Sequence, residues 1–396
     1  MADTSVASYD FLAPARIVFG WDRFGELGSL AATIGRRAFV VLGSRTLAAA
    51  GLEDRLRETM AAAGVEVVPV VTISHEPEVT DVDTTVERLR SMRPDQRDLV
   101  VAVGGGSAID LAKATAAMAT NAEGASVRDY LEGVGRGLQL KERPLPLIAV
   151  PTTAGTGSEA TKNAVISSYD PPFKKSLRDN AMIPRVVLVD PALSVSVSPE
   201  VTAHTGMDAI TQLIESYISA RARPLPRALA VEGLRLALGA IEEAVRDGNS
   251  RPAREAMAQA ALLSGLALAN SGLGMAHGVA AALGVHLRVP HGLACAVMLP
   301  VALQVNRPAC EAVLAGLSRQ TATASAGARD DEAAEALVDR VVGICQRIGI
   351  PNRLSALSVR SAMIADLVRD SRGNSMRGNP RELSDEQLTE ILEANL

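Results

Sequence analysis

The first half of the chain alternates short β-branched runs with amphipathic stretches, and this alternation constrains the fold more than any other feature. The strand-like runs are 37–43, 65–71, 98–106 (which ends in a glycine turn) and 145–158 (which ends in a polar loop). The helix-like stretches are 45–64, 80–92 and 107–120. Strands that alternate with helices in this way form mostly parallel sheets. The pattern therefore predicts an α/β domain with a mostly parallel, Rossmann-like sheet over residues 1–195.

The second half of the chain loses this alternation. Segments rich in Ala and Leu, such as 226–248 and 328–349, have helical spacing. With 396 residues, the chain is long enough for two hydrophobic cores. We therefore expect an all-helical domain over 196–396, with the seam between the two domains inside 187–206.

Charge and cysteine content exclude several classes of function. The net charge of −5 offers no basic surface for nucleic acid or for an anionic membrane. No uninterrupted apolar run reaches the roughly 18–20 residues that span a bilayer. The N-terminus has no basic segment leading into an apolar one, so no signal peptide is expected. The three cysteines lack CxxC spacing, which argues against disulfides and zinc ribbons and favours the cytoplasm.

Two glycine-rich loops follow predicted strands. In VAVGGGSAIDLAK (101–113), glycines allow the backbone to approach an anion, and the helix that follows directs N–H groups and its positive dipole end at the same point. Ser107 is the expected N-cap of this helix. In PTTAGTGSEAT (151–161), hydroxyls and backbone amides occur at the carboxyl edge of the sheet, where α/β proteins bind ligands. The loops are consistent with a diphosphate site or with ordinary tight turns.

Four nitrogen and oxygen ligands occur in two segments of the helical half. In GMDAITQLIESY (206–217), Asp208 and Gln212 are four residues apart and share one helix face. In GLGMAHGVAAALGVHLRVPHG (272–292), His277 lies in an apolar helical run and His291 follows a proline. Such a set suits a divalent metal. Buried histidines with ordinary hydrogen bonds are the alternative.

The other three histidines are weaker candidates. His286 is predicted to lie on the wrong face relative to His291, His204 to be a loop or capping residue, and His75 to lie in a solvated loop.

Taken together, the sequence motifs of this chain resemble those of the iron-containing (group III) alcohol dehydrogenases. The resemblance rests on Phe19–Gly20, GGGSAIDLAK, PTTAGTGSEAT, VLVDPALS, GMDAITQLIESY, GLGMAHGVAAALG and PHGLACAVMLP, in that order. It implies a cleft between the two domains that holds NAD(P) and a metal, used for hydride transfer between an alcohol and a carbonyl compound. The positions implied for the metal are Asp208, Gln212, His277 and His291, of which Asp208, His277 and His291 are also the expected catalytic residues. The positions implied for the cofactor are Gly105, Gly106, Ser107, Asp110, Thr152, Thr153, Thr156 and Lys175.

The chain departs from the family pattern at two functional positions. Gln212 stands where the family usually has a histidine, and its neutral amide oxygen is a weaker ligand. Ala281 replaces a second histidine, which in the family lies near the nicotinamide. We therefore expect divalent iron or zinc to bind, more loosely than in relatives. The alternatives are a metal-free reductase, like those that act on maleylacetate, and a non-catalytic nucleotide-binding protein.

Cofactor and substrate preferences are less constrained. Family members that use NAD often have an aspartate near Ser44, which here precedes Arg45, so NADP is expected to be tolerated and slightly favoured over NAD. Arg372, Asn374, Arg377 and Asn379 suit a polar or acidic substrate, or else a solvated loop. The resemblance also implies a homodimer that acts on a small alcohol or aldehyde.

Overall fold

Six parallel strands form the sheet of the N-terminal half. The computed structural model describes residues 8–44 and 51–396. The strands of the chain are β1 (Arg16–Phe19), β2 (Arg37–Gly43), β3 (Glu66–Ile73), β4 (Asp98–Gly104), β5 (Leu147–Pro151), β6 (Asn163–Tyr169), β7 (Pro172–Arg178) and β8 (Val186–Val189). The sheet order is β1-β8-β5-β4-β2-β3, and every pair in it is parallel. The predicted α/β fold is confirmed.

The central strands are buried on both faces, as expected for a parallel sheet covered by helices. Along β4, Val100 and Ala102 pack in one core, whereas Leu99, Val101 and Val103 pack in the core on the opposite face. This alternation follows from the two-residue period of a strand. The helices of this half are α1 (Leu27–Ala32), α2 (Leu52–Ala62), α3 (Val79–Ser91) and α4 (Gly106–Thr120).

Most predicted elements of this half occur where expected. Residues 45–50 of the first predicted helix lie outside the described part of the chain, and the remainder forms α2. The sequence reading missed the antiparallel hairpin of β6 and β7, which contributes side chains to the cleft. Its strands carry several polar residues, so the hydrophobic pattern is weak.

The second half is helical. Its helices are α5 (Pro199–Ile218), α6 (Pro224–Arg246), α7 (Arg251–Ala269), α8 (Met275–Leu287), α9 (His291–Gln320), α10 (Asp330–Arg347), α11 (Ile364–Asp370) and α12 (Asp385–Ala394). Among the described residues, no strand follows Val189. The domain boundary between residues 195 and 196 stays a prediction.

Helix α9, which has a kink at Cys310, runs through the core of this half. By length and composition it could cross a membrane, with a mean hydropathy of 1.3 in its most apolar window. However, 61% of that window is buried inside the protein. It packs against α5, α8 and α10. The burial is typical of the core helix of a globular fold.

Candidate active site

A cleft of about 650 Å³ lies between the sheet and the helical half. From the N-terminal half it is lined by the start of α4, the loop after β5 and the β6–β7 hairpin. From the helical half it is lined by α5, α8, the start of α9 and residues 370–377. Of the predicted site residues, those on its wall are Gly106, Ser107, Asp110, Thr156, Lys175, Gln212, His277 and His291.

The first glycine loop presents an open helix N-terminus to this cleft. Helix α4 begins at Gly106, and Gly105 is its N-cap with extended backbone and no side-chain capping bond. The prediction that Ser107 is the N-cap is therefore wrong, because the helix starts one residue before it. With no side chain capping the first turn, its N–H groups are available to an anionic ligand.

The two glycine-rich loops contact each other so closely that two positions of the first loop have little room for a side chain. A Cβ atom on Gly106 would lie 2.7 Å from Thr156 Oγ1, and one on Gly105 would lie 3.2 Å from Thr153 Oγ1. Larger residues would therefore push the loops apart. The backbone N–H of Thr152 donates to Gly104 O at 3.0 Å.

Four predicted cofactor residues lie off the wall of the main cleft. They are Ser44, Gly105, Thr152 and Thr153. Thr152 and Thr153 line a much smaller neighbouring cavity. Ser44 follows β2, and its N–H donates to Ile73 O at 2.9 Å.

Asp110 lies on the cleft wall and has one carboxylate oxygen without a hydrogen-bond partner among the described residues. Its Oδ2 accepts the N–H of Val165 at 3.1 Å, whereas its buried Oδ1 has no hydrogen-bond partner among the described residues. Burial raises the pKa of Asp110 to about 6, against the opposing effect of Lys113. An unsatisfied buried acceptor costs free energy, so a ligand that donates a hydrogen bond here would be favoured.

Three of the predicted metal ligands converge at the base of the cleft. His277 Nε2 lies 3.2 Å from Asp208 Oδ1, and His291 Nε2 lies 4.0 Å from the same oxygen. Cys295 joins them, with its Sγ 3.7 Å from His291 Nε2. Ligand atoms of these four residues all lie within 4.8 Å of one another. Sequence reasoning missed Cys295, although it lies one helical turn after His291.

Gln212 shares a helix face with Asp208, but its carboxamide has other partners. Its Nε2 donates to Thr156 O at 3.2 Å, and its Oε1 accepts from Ser264 at 2.8 Å. The amide thus connects the second glycine-rich loop to α7. A metal-ligand role for Gln212 stays a prediction.

Glu215 orients His277 through a hydrogen bond to the imidazole ring. From the sequence, Glu215 was not identified as a site residue. Its carboxylate lies 2.7 Å from His277 Nδ1 and accepts the N–H groups of Gly274 at 3.0 Å and Ala276 at 2.7 Å. With Nδ1 bonded to Glu215, Nε2 is the ring nitrogen that faces Asp208. The available signal was its spacing of seven residues, two helical turns, from Asp208.

The electrostatics of the group depend on burial and on mutual contacts. Desolvation, with the charge of Lys174 nearby, lowers the pKa of His291 to about 4. Burial raises the pKa of the Cys295 thiol to about 12. Burial opposes charging of His277, but Cys295, Asp208 and Glu215 outweigh it and raise its pKa. His291 therefore offers a neutral imidazole at neutral pH.

The remaining histidines do not join this group. His204 lies within α5, so the prediction of a loop or capping position is wrong. His286 Nε2 contacts Asp370 Oδ2 at 2.6 Å. His75 is 54% exposed and pairs with Asp81, in agreement with a solvated position.

Basic side chains surround the mouth of the cleft. Lys174, next to the predicted Lys175, is largely buried and pairs with Glu76 at 2.7 Å. Arg221 and Arg377 both donate to the amide oxygen of Asn374, at 3.0 and 3.3 Å. Arg372 pairs instead with Asp385. Asn379 is buried and bonds Asn306, so its side chain does not face a substrate.

Comparisons with known proteins match both halves of the chain to one family. Residues 14–191 match the family model described as iron-containing alcohol dehydrogenase, and 202–396 match the model of the C-terminal part of that family. Similar sequences include long-chain-alcohol dehydrogenase 1 of Geobacillus thermodenitrificans, 33% identical with 91% of each chain covered. Another is 1,3-propanediol dehydrogenase of Citrobacter freundii, 32% identical with 98% of each covered.

Solved structures share the whole architecture. A 1,3-propanediol oxidoreductase superposes with a TM-score of 0.91 at 30% identity, covering 98% of this chain and 100% of that one. A sulfoacetaldehyde reductase from Bifidobacterium kashiwanohense, solved with NAD+, gives a TM-score of 0.87 at 30% identity, with 98% and 99% coverage.

Proposed function

From the premise that this chain belongs to the iron-containing alcohol dehydrogenase family, we propose that its alcohol–carbonyl chemistry takes place where the cleft meets Asp208, His277 and His291. The chain is an NAD(P)-dependent oxidoreductase of alcohols and aldehydes, like its relatives. The convergence of these three side chains beside an open helix N-terminus carries the proposal. The metal-free and non-catalytic alternatives are not favoured by the comparisons.

The residues present fit a divalent metal of the kind the family implies. Tetrahedral bonds of about 2.0–2.2 Å to nitrogen and oxygen place neighbouring ligand atoms about 3.3–3.6 Å apart. The 3.2 and 4.0 Å separations from Asp208 Oδ1 lie within a few tenths of an ångström of that range. Iron or zinc held here would supply a Lewis acid for the substrate oxygen, and the nicotinamide would supply or take the hydride.

The protein side chains bind and orient the reactants. We assign the pyrophosphate to the start of α4, at Gly105, Gly106 and Ser107, where uncapped N–H groups face the cleft. The free oxygen of Asp110 suits an amide or hydroxyl donor of the cofactor. Glu215 holds the His277 ring so that its Nε2 faces Asp208.

An assay with both cofactors tests the proposed function. Purified protein is expected to oxidise short primary alcohols and to reduce the corresponding aldehydes, with kcat/KM for NADP at least equal to that for NAD. The reason is that no carboxylate at Ser44 repels the 2′-phosphate. Absence of turnover with either cofactor would refute the function. A preference for NAD above roughly tenfold, about 1.4 kcal/mol, would refute only the NADP assignment.

We further propose that the substrate carries an anionic group. Lys174 and Arg178, on the cleft wall, are paired with Glu76 and Glu132. In contrast, neither Arg221 nor Arg377 has a carboxylate within ion-pair distance among the described residues; both share the neutral Asn374.

These two guanidinium groups have donors left over for a ligand. They come from different segments and converge on one amide oxygen at the cleft wall. A carboxylate, sulfonate or phosphonate would satisfy the remaining donors through charge-assisted hydrogen bonds and offset the repulsion between the two cations. An aldehyde with such a group is therefore the substrate class that this end of the cleft fits best.

Replacing Arg221 tests this substrate class. In Arg221→Leu, kcat/KM for sulfoacetaldehyde is expected to fall roughly 10- to 100-fold, because a hydrogen bond to a charged group contributes about 1.5–3 kcal/mol. Turnover of propionaldehyde should change less than twofold. Arg223→Leu is the matched control, since Arg223 bonds a neighbouring carbonyl and is not on the cleft wall. Equal losses on both aldehydes would contradict an anion site.

A homodimer and a cytoplasmic location stay predictions. All three cysteines are free and buried, which suits a reducing compartment. Light scattering on the purified protein would measure the first, and fractionation of cells the second.

A further inference from the structure

We infer that Cys295 is the fourth protein ligand of the metal, in the place that the family resemblance assigns to Gln212. The inference rests on the proposed function for the presence of a metal, and it changes the chemistry of the site. The ligand set then includes a thiolate, whereas the set implied by the resemblance has only nitrogen and oxygen ligands.

The distances around Cys295 are those of a tetrahedral ligand set. Its Sγ lies 3.7 Å from His291 Nε2. A metal–sulfur bond of about 2.3 Å and a metal–nitrogen bond of about 2.1 Å, set at the tetrahedral angle, separate the two atoms by about 3.6 Å. The sulfur also falls within 4.8 Å of the ligand atoms of Asp208 and His277. One ion can therefore reach all four residues with small side-chain movements.

Helix geometry explains why Cys295 takes this position. Pro290 precedes the first turn of α9, so His291 lies at the very start of the helix. Cys295 follows four residues later and projects from the same face. That face meets Asp208 on α5 and His277 on α8, because α9 packs against both helices. Its side chain is completely buried.

The other two cysteines behave differently. The thiol of Cys310 donates to Asn306 O, one turn earlier in its own helix, at 3.2 Å. Cys345 Sγ lies 3.9 Å from Ala296 O. Both contact backbone carbonyls, as buried thiols often do, whereas the contact of Cys295 is with an imidazole nitrogen. Within the described part of the chain, Cys295 is the one thiol of the three that belongs to a group of metal-ligand type.

Both polar atoms of the Gln212 amide bond other protein groups, so its oxygen is not available as a metal ligand. Thr156 O can only accept, so the amide nitrogen of Gln212 must face it. That orientation places Oε1 toward the hydroxyl of Ser264 on α7. If the amide were flipped, two carbonyl oxygens would face each other. Gln212 therefore connects the loop and the helix, and the metal's fourth position is left to Cys295.

A thiolate also balances the charge of the site. Asp208 and Cys295 carry one negative charge each, and together they neutralise a divalent cation held by two neutral imidazoles. On binding, the thiol proton leaves to solvent and a metal–sulfur bond forms, with no change in oxidation state. Thiolate favours zinc, cobalt and iron over magnesium or manganese. Net neutrality is important because the group is buried, where uncompensated charge is costly.

Cobalt spectroscopy on the full-length protein tests the assignment directly. Protein stripped of metal is titrated with Co²⁺, and the near-ultraviolet thiolate-to-cobalt charge-transfer band is recorded together with the visible d–d bands. The band is expected in the wild type, in Cys310→Ala and in Gln212→Leu. It is expected to disappear in Cys295→Ala, with cobalt affinity lowered at least tenfold. Circular dichroism confirms that each variant is folded, and Cys295→Ser provides a second variant of nearly the same volume.

Each outcome decides the assignment. A wild type that binds no cobalt, or binds it without the charge-transfer band, overturns the role of Cys295. A charge-transfer band that persists in both Cys295 variants also overturns the assignment. The same holds if Gln212→Leu abolishes the band and Cys310→Ala retains it. Turnover of alcohol and NAD(P) is measured on the same wild-type protein. A band without any turnover would refute the proposed function and leave the ligand assignment standing.

Discussion

Replacing His277 with alanine is expected to lower kcat/KM for alcohol oxidation by about three orders of magnitude. His277 contacts Asp208 on one ring nitrogen and Glu215 on the other, and it faces the cleft. Its loss removes one of the proposed metal ligands, and Lewis-acid stabilisation contributes several kcal/mol to the transition state. Each 1.36 kcal/mol corresponds to a tenfold change in rate. Steady-state kinetics and metal content by mass spectrometry, measured on the same preparation, check the result.

The matched control is His75→Ala, in which the lost ring is exposed and pairs with Asp81 on the surface. Its kcat/KM should stay within twofold of wild type. His277→Gln retains most of the volume and distinguishes loss of chemistry from loss of folding. Full activity of the wild type after chelation, with no stoichiometric metal remaining, would contradict the metal mechanism.

Replacing Glu215 with alanine should damage both stability and metal binding. The carboxylate partners three buried donors, from Gly274, Ala276 and His277. Each unsatisfied buried group costs about 1–3 kcal/mol, so the free energy of unfolding should fall by about 3 kcal/mol or more. Loss of the group that orients a ligand histidine typically weakens metal binding 10- to 100-fold. Urea denaturation and cobalt titration measure the two effects.

Glu390→Ala serves as the control for this substitution. Glu390 is an exposed glutamate on α12, and its replacement should change the free energy of unfolding by no more than about 0.5 kcal/mol. Glu215→Gln keeps the side-chain shape and should fall between the two, since its amide can still accept from part of the donor set. If Glu215→Ala weakened neither folding nor cobalt binding, the carboxylate would not be holding His277.

Local periodicity explains how much of the fold was predictable. The buried strands 37–43 and 98–104 and the helices of the second half occur as expected, because their patterns reflect which face is buried. The hairpin of β6 and β7 was missed because its side chains are polar where they line the cleft. His204 was assigned to a loop because the residues around it lack an obvious apolar period, although a serine cap and Pro199 start the helix upstream.

The candidate site was predictable only in part. Spacing within one helix identified Asp208, and the shared pattern of the family identified His277 and His291. Cys295 was passed over because a single cysteine in an apolar run usually packs as a small hydrophobic residue. The N-cap was assigned to Ser107, two positions too far into the helix, since serine is the commoner N-cap and Gly105 takes that role here.

The sequence by itself determined the fold class and the family, and it predicted phosphate-type loops and candidate ligand residues on α5, α8 and α9. These properties follow from local spacing and from the order of short motifs. Only the tertiary structure decided which polar atoms meet. Glu215 reaches His277 across 62 residues of chain, and Gln212 reaches Thr156 across 56. Such contacts depend on how whole helices pack, which no local pattern encodes. For that reason the packing of α9 against α5 and α8 placed Cys295 beside Asp208, His277 and His291. The packing of α5 against α7 and the second glycine-rich loop gave Gln212 its partners.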